Sequence, residues 1–117
     1  MNAHDIIATD LISILCPSKN PISGFRAMTG CKMIMVDHEK YAVKCCLPLS
    51  VTGRKWNYVT ISVNGKDLID VVCEKFSTRG GKISNKEVFR MENMYRDQVL
   101  RIFREKTGVA TYLNLSC

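Results

Sequence analysis

The sequence predicts an α+β domain: an antiparallel β-meander of about four to six strands, with an N-terminal and a C-terminal amphipathic helix on one face. Three observations predict it. Apolar residues recur with a helical period near both ends of the chain. Between them lie short runs of aromatic and β-branched residues. Asn-Gly and Gly-Gly dipeptides, which favour tight turns, separate those runs. Neither a helix nor a sheet buries its apolar side alone, so the two pack as layers.

The elements follow in order. Ile7, Leu11, Ile14 and Leu15 stand at i, i+4, i+7 and i+8, one stripe of a helix. Asn2 or Asp5 suits its cap. Pro17 lies just past its end, and the residue before a proline is biased out of helix. Residues 17–24, PSKNPISG, read as a loop by composition. Residues 32–37 and 41–47 are short apolar runs around the polar stretch DHEK, the pattern of a β-hairpin. Residues 48–55 read as a loop, because Pro48 cannot donate to a central ladder.

WNYVTISV, residues 56–63, is the clearest strand. Val59, Ile61 and Val63 face one side; Tyr58, Thr60 and Ser62 face the other. Asn64-Gly65 then suits a type I′ turn, whose two central residues need positive φ. Residues 68–76 fit two patterns. Leu68, Ile69, Val72 and Phe76 suit a helix, whereas Ile69, Val71 and Cys73 suit one face of a strand. The turn signals on either side, Asn64-Gly65 and the TRGG of residues 78–81, favour the strand. Residues 82–91 are then its returning partner, or else the first turns of the last helix. From Met94 the helical period returns, with Tyr95, Val99, Ile102 and Phe103 on one stripe. Asp97 with Arg101, and Arg101 with Glu105, form i,i+4 pairs on the other face. Gly108 suits the C′ position, with Arg104 and Lys106 in the last turn. Residues 109–115, VATYLNL, alternate as a short edge strand does.

A chain of 117 residues suits one domain, residues 1–117. With 46% hydrophobic and 24% charged residues it belongs to the globular class, not the disordered one. No apolar run approaches the roughly 20 residues of a membrane span. The N-terminus lacks a basic start, and Asp5 and Asp10 interrupt its apolar stretch, so it does not read as a secretory signal. The expectation is a cytoplasmic protein with no membrane partner. Its six cysteines are then expected to be reduced, buried small hydrophobes. The net charge of +6, from 17 basic and 11 acidic residues, points to an acidic or nucleic-acid partner and away from an acidic mimic of DNA.

Candidate chemistry is sparse. Zinc sites pair their ligands at short spacing, as in C-x₂-C. Cys45 and Cys46 are adjacent and point to opposite faces of a strand; Cys31 and Cys73 have no neighbour in sequence. His38 sits in a turn between Asp37 and Glu39. No metal or cofactor is expected. A nucleophilic cysteine needs a base or a helix N-terminus, and the spacing puts neither His4 nor His38 beside a thiol. Asp67 and Asp70, three apart on a strand, fall on opposite faces. No catalytic residue is assigned. GRK and TRGGK lack the G-x-x-x-x-G-K-[ST] spacing of a phosphate-binding loop, but both are basic and exposed in character. The candidate partner-binding residues are therefore Arg54, Lys55, Trp56, Arg79 and Lys82, in a patch that Lys75, Lys86 and Arg90 extend. The competing reading of that patch is an ordinary solvated surface.

Three stretches, FRAMTGCK (residues 25–32), ISVNGKDLIDV (61–71) and YRDQVLRIFREKTG (95–108) followed by Tyr112 and Leu113, resemble a group of short proteins of bacteriophages and other mobile elements. The group's segments run F-x-A-M-T-G-A-K, I-x-L-N-G-K-D-L-Y-D-V and Y-x-D-x-L-x-x-x-F-x-x-x-T-G-L-Y. This chain departs from them at Cys31, Ile69 and Val109. The resemblance implies a strand over residues 68–76, a helix from near Tyr95, and a mobile-element origin. It implies no catalytic residue. The expected function is that of a small non-enzymatic accessory protein acting by binding, as an inhibitor of a host nucleic-acid-guided defence complex. The alternative is a basic nucleic-acid-binding accessory protein.

Overall fold

The N-terminal apolar stripe forms helix α1 (Ala3–Leu15), in a computed structural model that describes residues 3–111 apart from the Arg79 side chain. Ile7, Leu11, Ile14 and Leu15 are all buried there, as their spacing requires. A second helix follows, α2 (Pro21–Thr29), where composition predicts a loop to residue 24. The breakers are placed so that they do not break. Pro21 occupies the first turn, where a missing N–H loses nothing. Gly24 packs against the end of α1, so that a Cβ there would lie 2.9 Å from Cys16 Sγ. Phe25 fills the core below, and Gly30 ends the helix in the left-handed conformation, donating its N–H to Arg26 O.

Five strands then run as an uninterrupted antiparallel meander: β1 (Met33–Asp37), β2 (Ala42–Cys46), β3 (Tyr58–Val63), β4 (Ile69–Arg79) and β5 (Lys82–Met94). Residues 68–76 and 82–91, ambiguous by pattern, both lie in the sheet from Ile69 and Lys82 onward. The last helix, α3 (Arg96–Thr107), ends at Gly108, whose left-handed φ of 71° and N–H bond to Arg104 O match the expected C′ role. Tyr95 does not join the buried stripe. It stands at the cap with extended backbone and is largely exposed, so Val99 and Phe103 carry the packing. Of the two predicted ion pairs, the structure records Arg101–Glu105, at 3.4 Å.

The three helices lie on one face of the sheet. α1 packs across β1, β2 and β3, and α2 and α3 flank it. The inward residues are Val43 and Cys45 of β2, Val59 and Ile61 of β3, and Ile69, Val71 and Cys73 of β4. Cys45 is buried while Cys46 is half-exposed, the alternation expected of adjacent strand residues. Val109 and Thr111 follow α3 into the core without strand structure, and Thr111 Oγ1 donates to Leu15 O at 2.6 Å. The rest of the edge strand expected over residues 109–115 lies outside the described residues. No helix among the described residues is long and apolar enough to cross a membrane.

The Asn64-Gly65 turn differs from expectation. Asp67, not Gly65, takes the positive φ, at 61°. Asn64 N–H donates to Leu68 O at 2.9 Å, and Asp67 N–H to Asn64 O at 3.0 Å. This is a three-residue loop in which a turn is followed by one left-handed residue. The Asn64 side chain explains the choice. Its Oδ1 accepts from Lys66 N–H at 2.8 Å and Leu68 N–H at 3.2 Å, and its Nδ2 donates to Asp70 and Asn93.

Candidate functional site

The β4–β5 hairpin outruns the sheet. The β3 ladder ends at the Tyr58–Glu74 pair. Beyond it, the Asn57 side chain takes over the hydrogen bonding to β4. Its Oδ1 accepts from Phe76 N–H at 2.8 Å and its Nδ2 donates to Phe76 O at 3.0 Å, as a strand neighbour would. From residue 77 onward β4 and β5 have only each other, a free ribbon of about 10 Å at roughly 3.4 Å per residue. Gly80 and Gly81 close it, with φ of 57° and 77°. Two successive positive φ values are the requirement of a type I′ turn, which the Gly-Gly pair meets without a Cβ penalty.

The ladder register sorts the ribbon's residues by face. Lys75 pairs with Lys86, Ser77 with Ser84, and Arg79 with Lys82. These three rungs alternate with Phe76–Asn85 and Thr78–Ile83. One face therefore carries three Lys, one Arg position and two Ser; the other carries Phe76, Thr78, Ile83 and Asn85, and no charge. Residues 75–86 hold four basic and no acidic side chains. Lys75, Lys82 and Lys86 are exposed, and none is within 4.0 Å of a carboxylate among the described residues. The Lys75–Lys86 rung sets like charges directly across the ladder, an arrangement that destabilises a hairpin. Ser77 Oγ and Ser84 Oγ lie 2.6 Å apart on the next rung of that face.

The other predicted cluster lies in the β2–β3 connection. Leu47 N–H donates to Asn57 O at 2.8 Å and closes the neck of that loop. Gly53 and Arg54 both have positive φ, 69° and 63°, which turns the chain back. Arg54 and Lys55 point to solvent, but Trp56 does not. Trp56 is only 3% exposed, with its ring edge-on to Phe103 at 6.1 Å. Its backbone carbonyl accepts from the buried Thr52 hydroxyl. Trp56 is thus the plug that anchors the loop to α3, and it offers no surface to a partner docking on this conformation. The basic neighbours at 54 and 55 made it look like an interface aromatic; pattern alone cannot tell an anchor from a contact.

Lys55 and Lys106 line a concavity of about 480 Å³, with Val88 and Phe89 of β5 on its ribbon side. Cys73–Phe89 is the next inward position on the face that carries Lys75–Lys86. The register thus sets Lys75, Lys86, Lys82 and position 79 on the helix side of the sheet, and Lys55 lies across the concavity from the base of β5. Arg90 is separated from them. It lies opposite Val72 on the outer face, where it pairs with Glu87 and Glu92. Its guanidinium holds the Glu87 carboxyl below the usual carboxylate range.

The outer face has a different character. Tyr58 and Phe76 lie with ring centroids 4.5 Å apart, and Lys44 Nζ sits 5.3 Å from the Phe76 centroid. Beside them is a shallow concavity of about 440 Å³ with mixed charge, lined by Lys44, Glu74, Glu87 and Arg90 among others. Thr60 Oγ1, which lines it, is buried without a hydrogen-bond partner among the described residues.

The thiols hold one arrangement that spacing could not reveal. Cys31, between α2 and β1, meets Cys45 of β2 across the core edge. The Cys45 thiol beside it holds the Cys31 thiol below its ordinary range, and the same proximity together with burial pushes Cys45 up. Burial, with Glu74 nearby, pushes Cys73 up to about 12. Cys16, Cys31, Cys45, Cys46 and Cys73 are all unbridged. His4 and His38 lie with ring centroids 6.1 Å apart at the α1 start and the β1–β2 turn. No group of three or more His, Cys, Asp or Glu could hold a metal ion among the described residues.

No protein-family model, curated protein or solved structure matches this chain. The chain's own geometry is therefore what speaks for its function.

Proposed function

We propose that the protein acts by binding, with the basic face of the β4–β5 ribbon laid against nucleic acid held by a host nucleoprotein complex. One observation carries the reading. Lys75, Lys82 and Lys86 crowd one ribbon face, Lys75 and Lys86 as a like-charged rung, without a carboxylate within reach among the described residues. Charges opposed in that way lower stability, and a polyanion laid across them removes the repulsion. Phosphates spaced along a backbone match such a ladder of cations better than a scattered set of carboxylates does. Lys55 and Lys106 add two cations around the concavity at the base of β5. The net charge of +6 supports the same partner through long-range steering. The host complex enters from the resemblance to mobile-element proteins, whose gain lies in occupying a site on a defence machine.

Triple reversal, Lys75→Glu, Lys82→Glu and Lys86→Glu, tests the reading. The parent should bind nucleic acid with an affinity that falls steeply with salt, by nearly one log unit per log unit of salt for each phosphate contacted. The triple variant should keep its cooperative unfolding and lose that binding. Equal binding by both proteins would refute the site. A second reading, a nucleic-acid-binding accessory protein that acts on free nucleic acid, rests on the same ribbon. The two part in cells: an inhibitor should protect an incoming plasmid against a nucleic-acid-guided defence system of its host, and the triple variant should not. Nucleic-acid binding without protection favours the accessory role.

A further inference from the structure

We infer that the ribbon takes B-form duplex DNA, in its major groove, in preference to a single strand or an RNA duplex. The inference rests on the reading of the ribbon as a nucleic-acid contact and names the form of nucleic acid. Its first ground is where the aromatic rings are. Proteins that grip single strands combine cations with aromatic side chains on which bases stack. The basic face of this ribbon has cations and hydroxyls on its three rungs and no ring. Phe76 stands on the opposite face, already held against Tyr58 under the Lys44 ammonium. Trp56 is in the core. A strand laid along the three rungs would meet no stacking platform there; the next ring on that face, Phe89, is half-buried at the base of the ribbon.

The second ground is shape. Two strands about 4.8 Å apart, with their side chains, make a ribbon roughly 10 Å across. The B-DNA major groove is about 12 Å wide and admits a two-stranded ribbon; the minor groove, at about 6 Å, does not. The major groove of A-form RNA is deep and too narrow for side chains to read. The third ground is donor chemistry. Lys and Ser side chains at successive rungs can donate to phosphates on the groove walls and to the O6 and N7 acceptors of guanine on its floor. The ribbon's freedom beyond residue 76, with the Gly-Gly turn at its tip, lets it enter without steric conflict from β3.

The test measures binding of the whole chain to a short duplex DNA, to each of its single strands, and to duplex RNA of the same sequence, across a salt series. Duplex DNA should bind at least about tenfold more tightly than either competitor, with a log–log salt slope of roughly −3 to −5, from the four cations of the ribbon with or without Lys55. Lys82→Gln with Lys86→Gln should flatten that slope by about two, since each phosphate contact contributes close to one. The glutamines suit an exposed ladder, and thermal unfolding of the variant verifies its fold. Equal or tighter binding of a single strand, or of duplex RNA, overturns this inference and leaves the nucleic-acid reading standing. Failure to bind any of the three overturns both. A variant with the parent's slope removes the ribbon from the contact.

Discussion

Lys86→Glu should make this protein more stable while weakening its hold on nucleic acid. Lys75 and Lys86 are direct cross-strand partners on the exposed basic face of the ribbon. Glu74 and Glu87 form the neighbouring rung, but on the other face. A carboxylate at position 86 would therefore look at Lys75 and not at another acid. Repulsion across the rung is replaced by attraction, and each is worth a few tenths of a kcal/mol between exposed side chains, for a total gain of about 0.5–1 kcal/mol. With a urea m-value in the usual range of about 1–3 kcal/mol/M, the unfolding midpoint should rise by roughly 0.2–1 M. Salt supplies the control. The screening length falls from about 30 Å at 0.01 M to about 3 Å at 1 M, so the advantage of the variant should largely vanish at the higher salt. Lys86→Arg keeps the charge and should leave the midpoint where it is. An unchanged or lower midpoint for Lys86→Glu at low salt would refute the like-charge argument on which the functional reading stands.

Phe103→Ala should cost about 3–5 kcal/mol in chemical denaturation, because the ring is fully buried against Trp56; Arg101→Ala, on the exposed face of α3, should cost a few tenths. Equal effects would overturn the assignment of helix faces. Gly24→Ala should lower stability despite a helix-propensity gain of about 1 kcal/mol, since its Cβ would lie 2.9 Å from Cys16 Sγ and 3.2 Å from Ser18 Oγ. In a Cys16→Ala background the same change should stabilise; a double-mutant cycle that shows no coupling would disprove the contact. Asp10 accepts from Arg96 at 2.9 Å and from Tyr41 at 2.8 Å, and chiefly the Arg96 bond holds its carboxyl below the usual range. A depressed carboxylate contributes stability above its unfolded pKa of about 3.9 and loses it as pH falls through the folded value. Asp10→Asn should therefore be less stable near neutral pH, with a shallower loss of stability below about pH 4. Parallel acid limbs for the two proteins would show that this contact contributes nothing.

The periodic stretches were legible from residues alone. The stripes at Ile7–Leu11–Ile14–Leu15 and Val99–Phe103 bury as their spacing requires, because a helix touching a core on one side must repeat its apolar residues every third or fourth position. The alternation at Val59 and Ile61 reads as directly, since a sheet with one covered face imposes a period of two. Helix α2 was hidden because Pro21 and Gly24 are counted as breakers, yet Pro21 is tolerated in the first turn and Gly24 is required by the closeness of Cys16, which lies outside the segment. The Asn64-Gly65 dipeptide misled for a similar reason. Its asparagine side chain finds Asp70 and Asn93, the latter from a strand 29 residues away, and that network selects a longer loop.

What the sequence by itself determined is the class, an antiparallel sheet under amphipathic helices, and the basic character of residues 75–86. Both follow from local chemistry: side-chain periodicity and charge are properties of a segment wherever it lies. Which face each cation occupies was decided only by tertiary structure. Trp56, grouped by sequence with Arg54 and Lys55, turns inward because the neck between Leu47 and Asn57 aims it at Phe103. Arg90, grouped with the same patch, is carried to the outer face with Glu87 and Glu92. Lys75 and Lys86, eleven positions apart, become neighbours because the Gly80-Gly81 turn fixes the register of β4 against β5. A side chain's face depends on pairing between strands, and a one-residue slip would exchange every one of them; that is a property of the folded ladder and of no segment alone.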